Sequence, residues 1–115
     1  MFIKNFRELA TTPERKIVLE LVEEGLRSIQ PEEVFNASVH RHGDILTIGD
    51  QEFDLSDFER VFILGFGKGS AGNSKLLEKL IIDRLTEGYV IDTEGGKFEK
   101  IKFTKGTHPL PSETN

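Results

Sequence analysis

A four-residue apolar run, residues 61–64, is followed without interruption by the glycine-rich segment 65–70. Because the run is continuous rather than alternating, it is typical of a strand buried on both faces of a parallel sheet. Glycines directly after a strand allow a sharp turn. Apolar residues then recur at helical spacing: Leu76, Leu77, Leu80, Ile81 and Leu85. Together these features predict a strand, a tight turn and a helix.

The segment after this helix predicts two further strands. We expect the helix to stop at Gly88 and the strands to occupy residues 89–91 and 101–103, with a turn at Gly95-Gly96. A strand, a helix and a strand within about thirty residues predict a right-handed βαβ unit. The fold class is therefore α/β, a parallel sheet with flanking helices. The chain ends at Asn115 without a closing element, so we expect the sheet to be incomplete at its C-terminal end.

The first part of the chain predicts a one-sided helix. Thr11, Thr12 and Pro13 supply hydroxyl caps and a proline suited to a first helical turn. The helix should stop near Gln30, because the residue before a proline disfavours helical backbone, and Pro31 can open a short second helical segment. The apolar residues repeat every three or four positions: Ile17, Val18, Leu21, Val22, Leu26 and Ile29.

A hairpin is predicted between this helix and the apolar run. Residues 45–48 and 51–55 are two short strand-like runs, and the two-residue link Gly49-Asp50 fits a tight turn. We predict one domain over residues 1–115, with a helix and hairpin part at 1–58 and a βαβ core at 59–115. Acidic residues of the leading helical region predict a solvated face: Glu20, Glu23, Glu24, Glu32 and Glu33.

Composition excludes several classes of function. The net charge of -5 opposes nonspecific binding to nucleic acid or to an anionic membrane, and no apolar run is long enough to cross a bilayer. We therefore expect a cytoplasmic protein. The sequence contains no cysteine, which excludes disulfides and thiolate chemistry. His40 and His42 alternate as on one strand face but lack a third ligand, so no metal site is predicted.

The glycine-rich turn predicts an anion site. Its residues Gly65, Gly67, Gly69 and Ser70 allow close backbone approach at a helix N-terminus, and Lys68 adds a positive charge. A purely structural alternative is a turn whose glycines only permit close packing of strand and helix. A P-loop is excluded, because that motif requires a glycine at the position of Phe62 and Ser or Thr after the lysine.

A dinucleotide site is a second interpretation of the same turn. Gly67, Gly69 and Gly72 have the spacing G-x-G-x-x-G, and Asp92 lies twenty residues later at the end of the next strand. There an acidic residue could bind a ribose hydroxyl. The structural alternative for Asp92 is a solvated residue at a strand end.

The wider pattern resembles the start of the glycerate 2-kinases of the MOFRL type. The resemblance covers nearly the whole chain: the leading helix ending at Pro31, the hairpin, the segment 61–70, the strand 88–91 and the segment His108-Pro109-Leu110-Pro111. Members of that family carry a G-x-G-K turn after the first core strand and an H-P-x-P segment after a later one. This chain departs from them after the turn, where Gly69, Gly72 and Asn73 replace alanines and a methionine, and at Ser112, where an aspartate is usual.

The resemblance implies a Rossmann-like domain and ATP-dependent phosphorylation of glycerate at its 2-hydroxyl, with a divalent metal such as Mg²⁺. Lys68 would be the catalytic lysine of the turn, Gly65 and Gly67 its glycines, and His108 with Pro109 would line the cleft entrance. The acceptor's base and the rest of the nucleotide site would lie in a missing C-terminal portion. We accordingly expect association with such a portion or self-association. A non-catalytic interaction domain remains the third interpretation.

Overall fold

The computed structural model describes residues 1–115, which form two compact units, Met1–Val34 and Phe35–Asn115. The first unit is helical. It contains α1 (Phe6–Leu9), α2 (Pro13–Ser28) and the start of α3 (Pro31–Ser38), which continues into the second unit. The second unit contains all the strands.

The start of α2 is the one that the sequence predicts. Thr12 adopts an extended conformation and its Oγ1 accepts a hydrogen bond from the amide of Arg15 at 3.3 Å, while Pro13 occupies the first helical turn. The helix ends at Ser28, and Pro31 opens α3, as expected. The short helix α1 was not predicted, because its four residues show no periodic pattern.

Glu23 corrects the predicted solvated face. Its residue is only 8% exposed, and its carboxylate accepts hydrogen bonds from the amides of Phe2 and Ile3. Burial raises the pKa of Glu23, but the amides of Ile3 and Phe2 outweigh it and leave the pKa below its ordinary value. The carboxylate therefore anchors the chain start on α2. The periodicity of α2 could not show this, because the partners lie outside the helix.

The apolar stripe of α2 is exposed. Ile17, Val18, Leu21 and Val22 are between 45% and 68% exposed. The amphipathic helix predicted from these residues is present, but its apolar face remains uncovered.

The second unit begins with a three-stranded antiparallel sheet in the order β1 (Val39–His42), β2 (Ile45–Ile48) and β3 (Gln51–Asp54). The predicted hairpin is β2 and β3, joined at Gly49-Asp50. Strand β1 was not assigned from the sequence, because its alternating polar residues present no apolar face. A 3-10 turn, Leu55–Asp57, follows β3.

A parallel sheet follows, in the order β4 (Val61–Phe66), β5 (Leu85–Asp92) and β6 (Ile101–Lys105). Helix α4 (Ser70–Ile81) connects β4 to β5. This arrangement confirms the predicted α/β fold class and the βαβ unit. The core joins both sheets, with side chains from the hairpin, α4 and the parallel strands: Leu46, Leu55, Ile63, Ala71, Ile81, Leu85, Val90 and Ile101.

The predicted C-terminus of α4 was wrong. The helix ends at Ile81, and Leu85 lies in β5 with only 1% of its surface exposed. Gly88 is a central residue of β5, between Ile63 and Ile101 on the neighbouring strands. A Cβ at Gly88 would lie 2.7 Å from Cγ1 of Ile101 and 3.0 Å from the carbonyl oxygen of Ile63. The glycine is therefore required by close strand packing rather than by a helix cap.

The prediction that β4 is buried on both faces was also wrong. Ile63 is buried, whereas Phe62, Leu64 and Phe66 on the opposite face are 49%, 74% and 82% exposed. Helix α4 packs against β4 and β5 and covers one face of the sheet. We call the other face, with Phe62, Leu64, Phe66 and Tyr89, the open face. A continuous apolar run indicates that both faces of a strand are apolar. It does not show whether other elements of the chain cover both faces.

Two crossed ion pairs tie the antiparallel sheet to the end of α4. Arg41 on β1 donates to Oδ2 of Asp83 at 2.8 Å and to the carbonyl oxygen of Leu80 at 3.0 Å. Arg84 donates in the opposite direction, from its Nε to Oδ1 of Asp44 at 2.9 Å. His40 and His42 lie on the exposed side of β1. None of the helices has the length and apolar character needed to cross a membrane.

Candidate functional site

A cleft of about 220 Å³ lies where the three parallel strands end. It is lined by the segments that follow β4, β5 and β6. Carboxyl ends of the strands are where open α/β sheets generally bind ligands. The lining residues include Gly67 and Lys68 from the turn, Asp92 at the end of β5 with Thr93 after it, and Thr107, His108, Pro109 and Asn115 after β6.

The turn holds Lys68 between two glycines in left-handed conformations. Gly67 has a φ of 91° and Gly69 a φ of 78°. Residues with a side chain rarely adopt these angles, so the local sequence Gly-Lys-Gly is what allows the chain to reverse here. The amide of Ser70 donates to the carbonyl oxygen of Gly67 at 3.2 Å, and α4 begins at Ser70. Lys68 is left exposed and lining the cleft.

Three predicted site residues shape the turn without lining the cleft. A Cβ at Gly65 would lie 2.7 Å from Oγ of Ser74, so this glycine allows α4 to approach β4 closely. Ser70 donates its hydroxyl to the carbonyl oxygen of Ile91 at 3.1 Å, which joins the start of α4 to β5. Gly69 caps α4. Gly65, Gly69 and Ser70 therefore contribute to the geometry of the turn and not to the wall of the cleft.

Asp92 is buried against the N-terminus of α4 and is only 8% exposed. Its Oδ2 accepts from the amide of Ala71 at 3.0 Å, and its Oδ1 accepts from the amide of Thr93 at 2.7 Å. Burial raises the pKa of Asp92, but the amides of Ala71, Thr93 and Glu94 outweigh it and hold the pKa below its ordinary value. Neither sequence interpretation of Asp92 is supported: the carboxylate is not a solvated strand end, and it is engaged by the chain's own amides.

The loop after β6 brings His108 and Pro109 to the same cleft as Lys68. Asn115 organises this loop: its Oδ1 accepts from the amide of Thr107 at 3.0 Å, and its Nδ2 donates to the carbonyl oxygen of Thr107 at 3.0 Å. The peptide bond between His108 and Pro109 is cis. Sequence reasoning missed Asn115. The signal available was that asparagine side chains commonly bond to nearby backbone in turns.

The cleft is lined by few ionisable side chains. Lys68, His108 and Asp92 are its ionisable lining residues. The Asp92 carboxylate is bonded to backbone amides, whereas Lys68 forms no salt bridge within the chain. Lys68 is thus a cation available to an anion that enters the cleft.

The residues of this chain do not fit a divalent metal ion. No group of three His, Asp or Glu side chains converges anywhere in the chain. Asp92 is the only carboxylate on the cleft. Binding pockets for drug-sized ligands usually have volumes of about 300–1,000 Å³. The cleft of about 220 Å³ lies below that range and has room for a small acid or one phosphoryl group.

Comparison with known proteins matches residues 17–115 to a family described as a domain of unknown function, DUF4147. A protein of Picrophilus torridus named glycerate 2-kinase is 22% identical over 114 residues, which are 96% of this chain and 25% of that protein. A protein of Danio rerio named glycerate kinase is 32% identical over 65 residues, which are 56% of this chain and 12% of that protein.

A crystal structure of a Pyrococcus horikoshii OT3 protein has the same fold, with a TM-score of 0.74 at 22% identity. The match covers 90% of this chain and 23% of the Pyrococcus protein. The chain therefore spans about a quarter or less of the length of each of these proteins.

Proposed function

Because this chain belongs to the DUF4147 family, the N-terminal domain of the MOFRL-type glycerate kinases, we propose that it forms part of a kinase that phosphorylates glycerate at its 2-hydroxyl. The product would be 2-phosphoglycerate, and ATP with Mg²⁺ would take part. The observation that carries the proposal is the cleft where the Lys68 turn and the His108 loop meet. The family resemblance seen in the sequence also includes both the turn at Lys68 and the segment at His108.

Lys68 would act by neutralising negative charge. Glycerate carries a carboxylate, and a phosphoryl group in transfer carries charge on three oxygens, so either would be stabilised by the unpaired ammonium group of Lys68. Phosphoryl transfer depends largely on positioning and charge stabilisation by the protein, and the ammonium group of Lys68 would supply charge stabilisation. ATP, when bound, would supply the phosphoryl group. His108 would offer a ring N–H to an oxygen of the same ligand.

Binding to this chain tests the site directly. We expect glycerate and 2-phosphoglycerate to shift the backbone amide NMR signals of Gly67, Lys68, Thr107 and His108 in a saturable way. Lys68→Met keeps the aliphatic stem and removes the charge, and it should abolish these shifts. Lys75→Met is the matched control, because Lys75 is an exposed lysine on α4 that does not line the cleft. If Lys68→Met binds both acids as the wild type does, the assignment of the cleft is wrong.

A dinucleotide site is the less favoured alternative. It requires the Asp92 carboxylate to meet a ribose hydroxyl, whereas both of its oxygens accept from backbone amides. We expect calorimetry with NAD to detect no binding. Saturable binding that is weakened by Asp92→Asn would favour the dinucleotide interpretation over the kinase.

We also propose that the kinase to which this chain contributes is cytoplasmic.

A further inference from the structure

Asp92 places a carboxylate at the N-terminus of α4. The N-terminus of a helix attracts anions, because its first amides lack partners within the helix and its dipole is positive at that end. In this chain the amide of Ala71, in the first turn of α4, donates to Oδ2 of Asp92 at 3.0 Å. Oγ of Ser70 lies 3.5 Å from the same oxygen, while its hydroxyl donates to the carbonyl oxygen of Ile91 at 3.1 Å.

The other carboxylate oxygen is engaged as well. Oδ1 of Asp92 accepts from the amide of Thr93 at 2.7 Å. Asp92 therefore joins the start of α4 to the end of β5, the two elements that flank the Lys68 turn. Asp92 is only 8% exposed, so its carboxylate has little contact with solvent. Its negative charge also lies on the wall of the cleft that Lys68 lines.

We propose that Asp92 is a positioning residue that serves as the resident anion of α4. It keeps phosphate from the helix amides, so that an anion entering the cleft is bound by Lys68. This inference deepens the proposed function, since it concerns how the same cleft selects its ligand: one anionic group beside Lys68 is accepted, and a second one at the helix N-terminus is excluded.

The test is a titration of this chain with inorganic phosphate, followed by amide NMR signals. In the wild type, the saturable shifts should be largest at Lys68 and in the loop at Thr107 and His108, with Ala71 and Thr93 little affected. Asp92→Ala frees the amides of Ala71 and Thr93, so both should now respond and phosphate should bind at least about tenfold more tightly. Asp92→Asn retains one acceptor oxygen and should give an intermediate gain.

Glu78→Ala is the matched control. Glu78 is also a buried carboxylate that accepts backbone amides in the same unit, but it does not line the cleft. A gain of phosphate binding in the Asp92 variants alone supports the proposal, since a purely structural role would weaken folding in both variants and increase affinity in neither. A folded Asp92→Ala variant without tighter binding would overturn it.

The wild-type titration decides the matter even if the Asp92 variants do not fold. Saturable phosphate shifts that are largest at Ala71 and Thr93 would show that the carboxylate does not exclude anions. Lys68→Met separates the two proposals. If phosphate binds Lys68→Met as tightly as it binds the wild type, the role proposed for Lys68 is wrong. The response of the Ala71 amide in Asp92→Ala still tests the role of Asp92.

Discussion

Glu78, in α4, accepts a hydrogen bond from the backbone amide of Ile101 at 3.0 Å, and so holds the start of β6 against the helix. The same carboxylate accepts from the amide of Lys100 at 2.8 Å and from that of Glu99 at 3.1 Å. Glu78 is 4% exposed. The connection between β5 and β6 contains no helix. The Glu78 carboxylate therefore supplies the hydrogen-bond acceptors that the backbone amides at the end of this connection would otherwise lack.

Glu78→Ala should therefore destabilise the second unit. Leaving buried donors without an acceptor costs about 1–3 kcal/mol, so we expect the free energy of unfolding to fall by about that amount. Urea unfolding followed by circular dichroism measures the change. Glu99→Ala is the control, because it removes the same charge from an exposed side chain and should change the free energy of unfolding by less than about 0.5 kcal/mol. Equal stability of the two variants would contradict the role given to Glu78.

The pair Arg41–Asp83 should make stability depend on pH in a defined window. Hydrogen bonds from Arg41 lower the pKa of Asp83 from 3.8 to about 2. Since the folded state has the lower pKa, the stabilisation is fully present above the unfolded value and is lost as the pH falls from about 4 towards about 2. Asp83→Asn should be less stable than the wild type at pH 7, and this difference should disappear near pH 2. A difference that stays constant over the window would contradict the assignment.

The open face predicts self-association of the chain. Phe62, Leu64, Phe66 and Tyr89 together expose an apolar patch on one side of the sheet. Soluble monomers rarely expose contiguous apolar patches larger than a few hundred Å², and such patches commonly mark interfaces. We expect light scattering to show a mass that rises with concentration. Leu64→Lys should shift the protein towards monomer, whereas Phe58→Lys, at an exposed position outside the patch, should not. A monomer at every concentration would count against an interface here.

The 115-residue chain by itself should show no kinase activity with ATP, Mg²⁺ and glycerate. Its residues contain no cluster that could hold the metal, and it spans 25% of the Picrophilus torridus glycerate 2-kinase. A coupled assay of ADP release measures turnover. The blank is Lys68→Met, which has the same length and the same purification history. Turnover above that blank would show that the chain contains a complete active site.

Kinetics of Lys68→Met in a longer polypeptide that contains this sequence would define the lysine's role. If Lys68 stabilises the charge of the phosphoryl group in the transition state, kcat should fall by about a hundredfold or more. If it binds the glycerate carboxylate equally in ground and transition states, KM should rise and kcat should stay near its original value. Thermal melting excludes misfolding as the cause, and Lys75→Met should leave both constants unchanged. Unchanged constants in a folded Lys68→Met variant would remove Lys68 from the site.

Local patterns predicted much of the fold. The cap at Thr12, the hairpin around Gly49-Asp50 and the helix after the glycine turn depend on neighbouring residues, and each is where the sequence indicates. The end of α4 was misplaced because Leu85 fits the helical period, although it is buried at the start of β5. Gly88 resembles a helix cap in the sequence, and only the packing against Ile63 and Ile101 reveals its role.

The cleft was predictable in part. The turn around Lys68 is a local signal, and the family resemblance pairs it with the segment at His108, forty residues later. The parts that depend on contacts across the fold were not predictable. Nothing near Asp92 in the sequence indicates that its carboxylate meets the amide of Ala71, because the partners are 21 residues apart and meet only when β5 lies beside the start of α4.

The ion pairs Arg41–Asp83 and Arg84–Asp44 couple the unfolding of the antiparallel sheet to that of the parallel sheet. The two arginines lie on opposite sides of the junction, so the antiparallel sheet cannot lift away without separating both of them from their aspartate partners. Because Leu46 and Leu55 also belong to the core cluster, detachment would uncover apolar surface at the same moment. The backbone amides of the antiparallel sheet should thus exchange with solvent deuterium at the rate set by global unfolding, as one cooperative unit with β4 and β5.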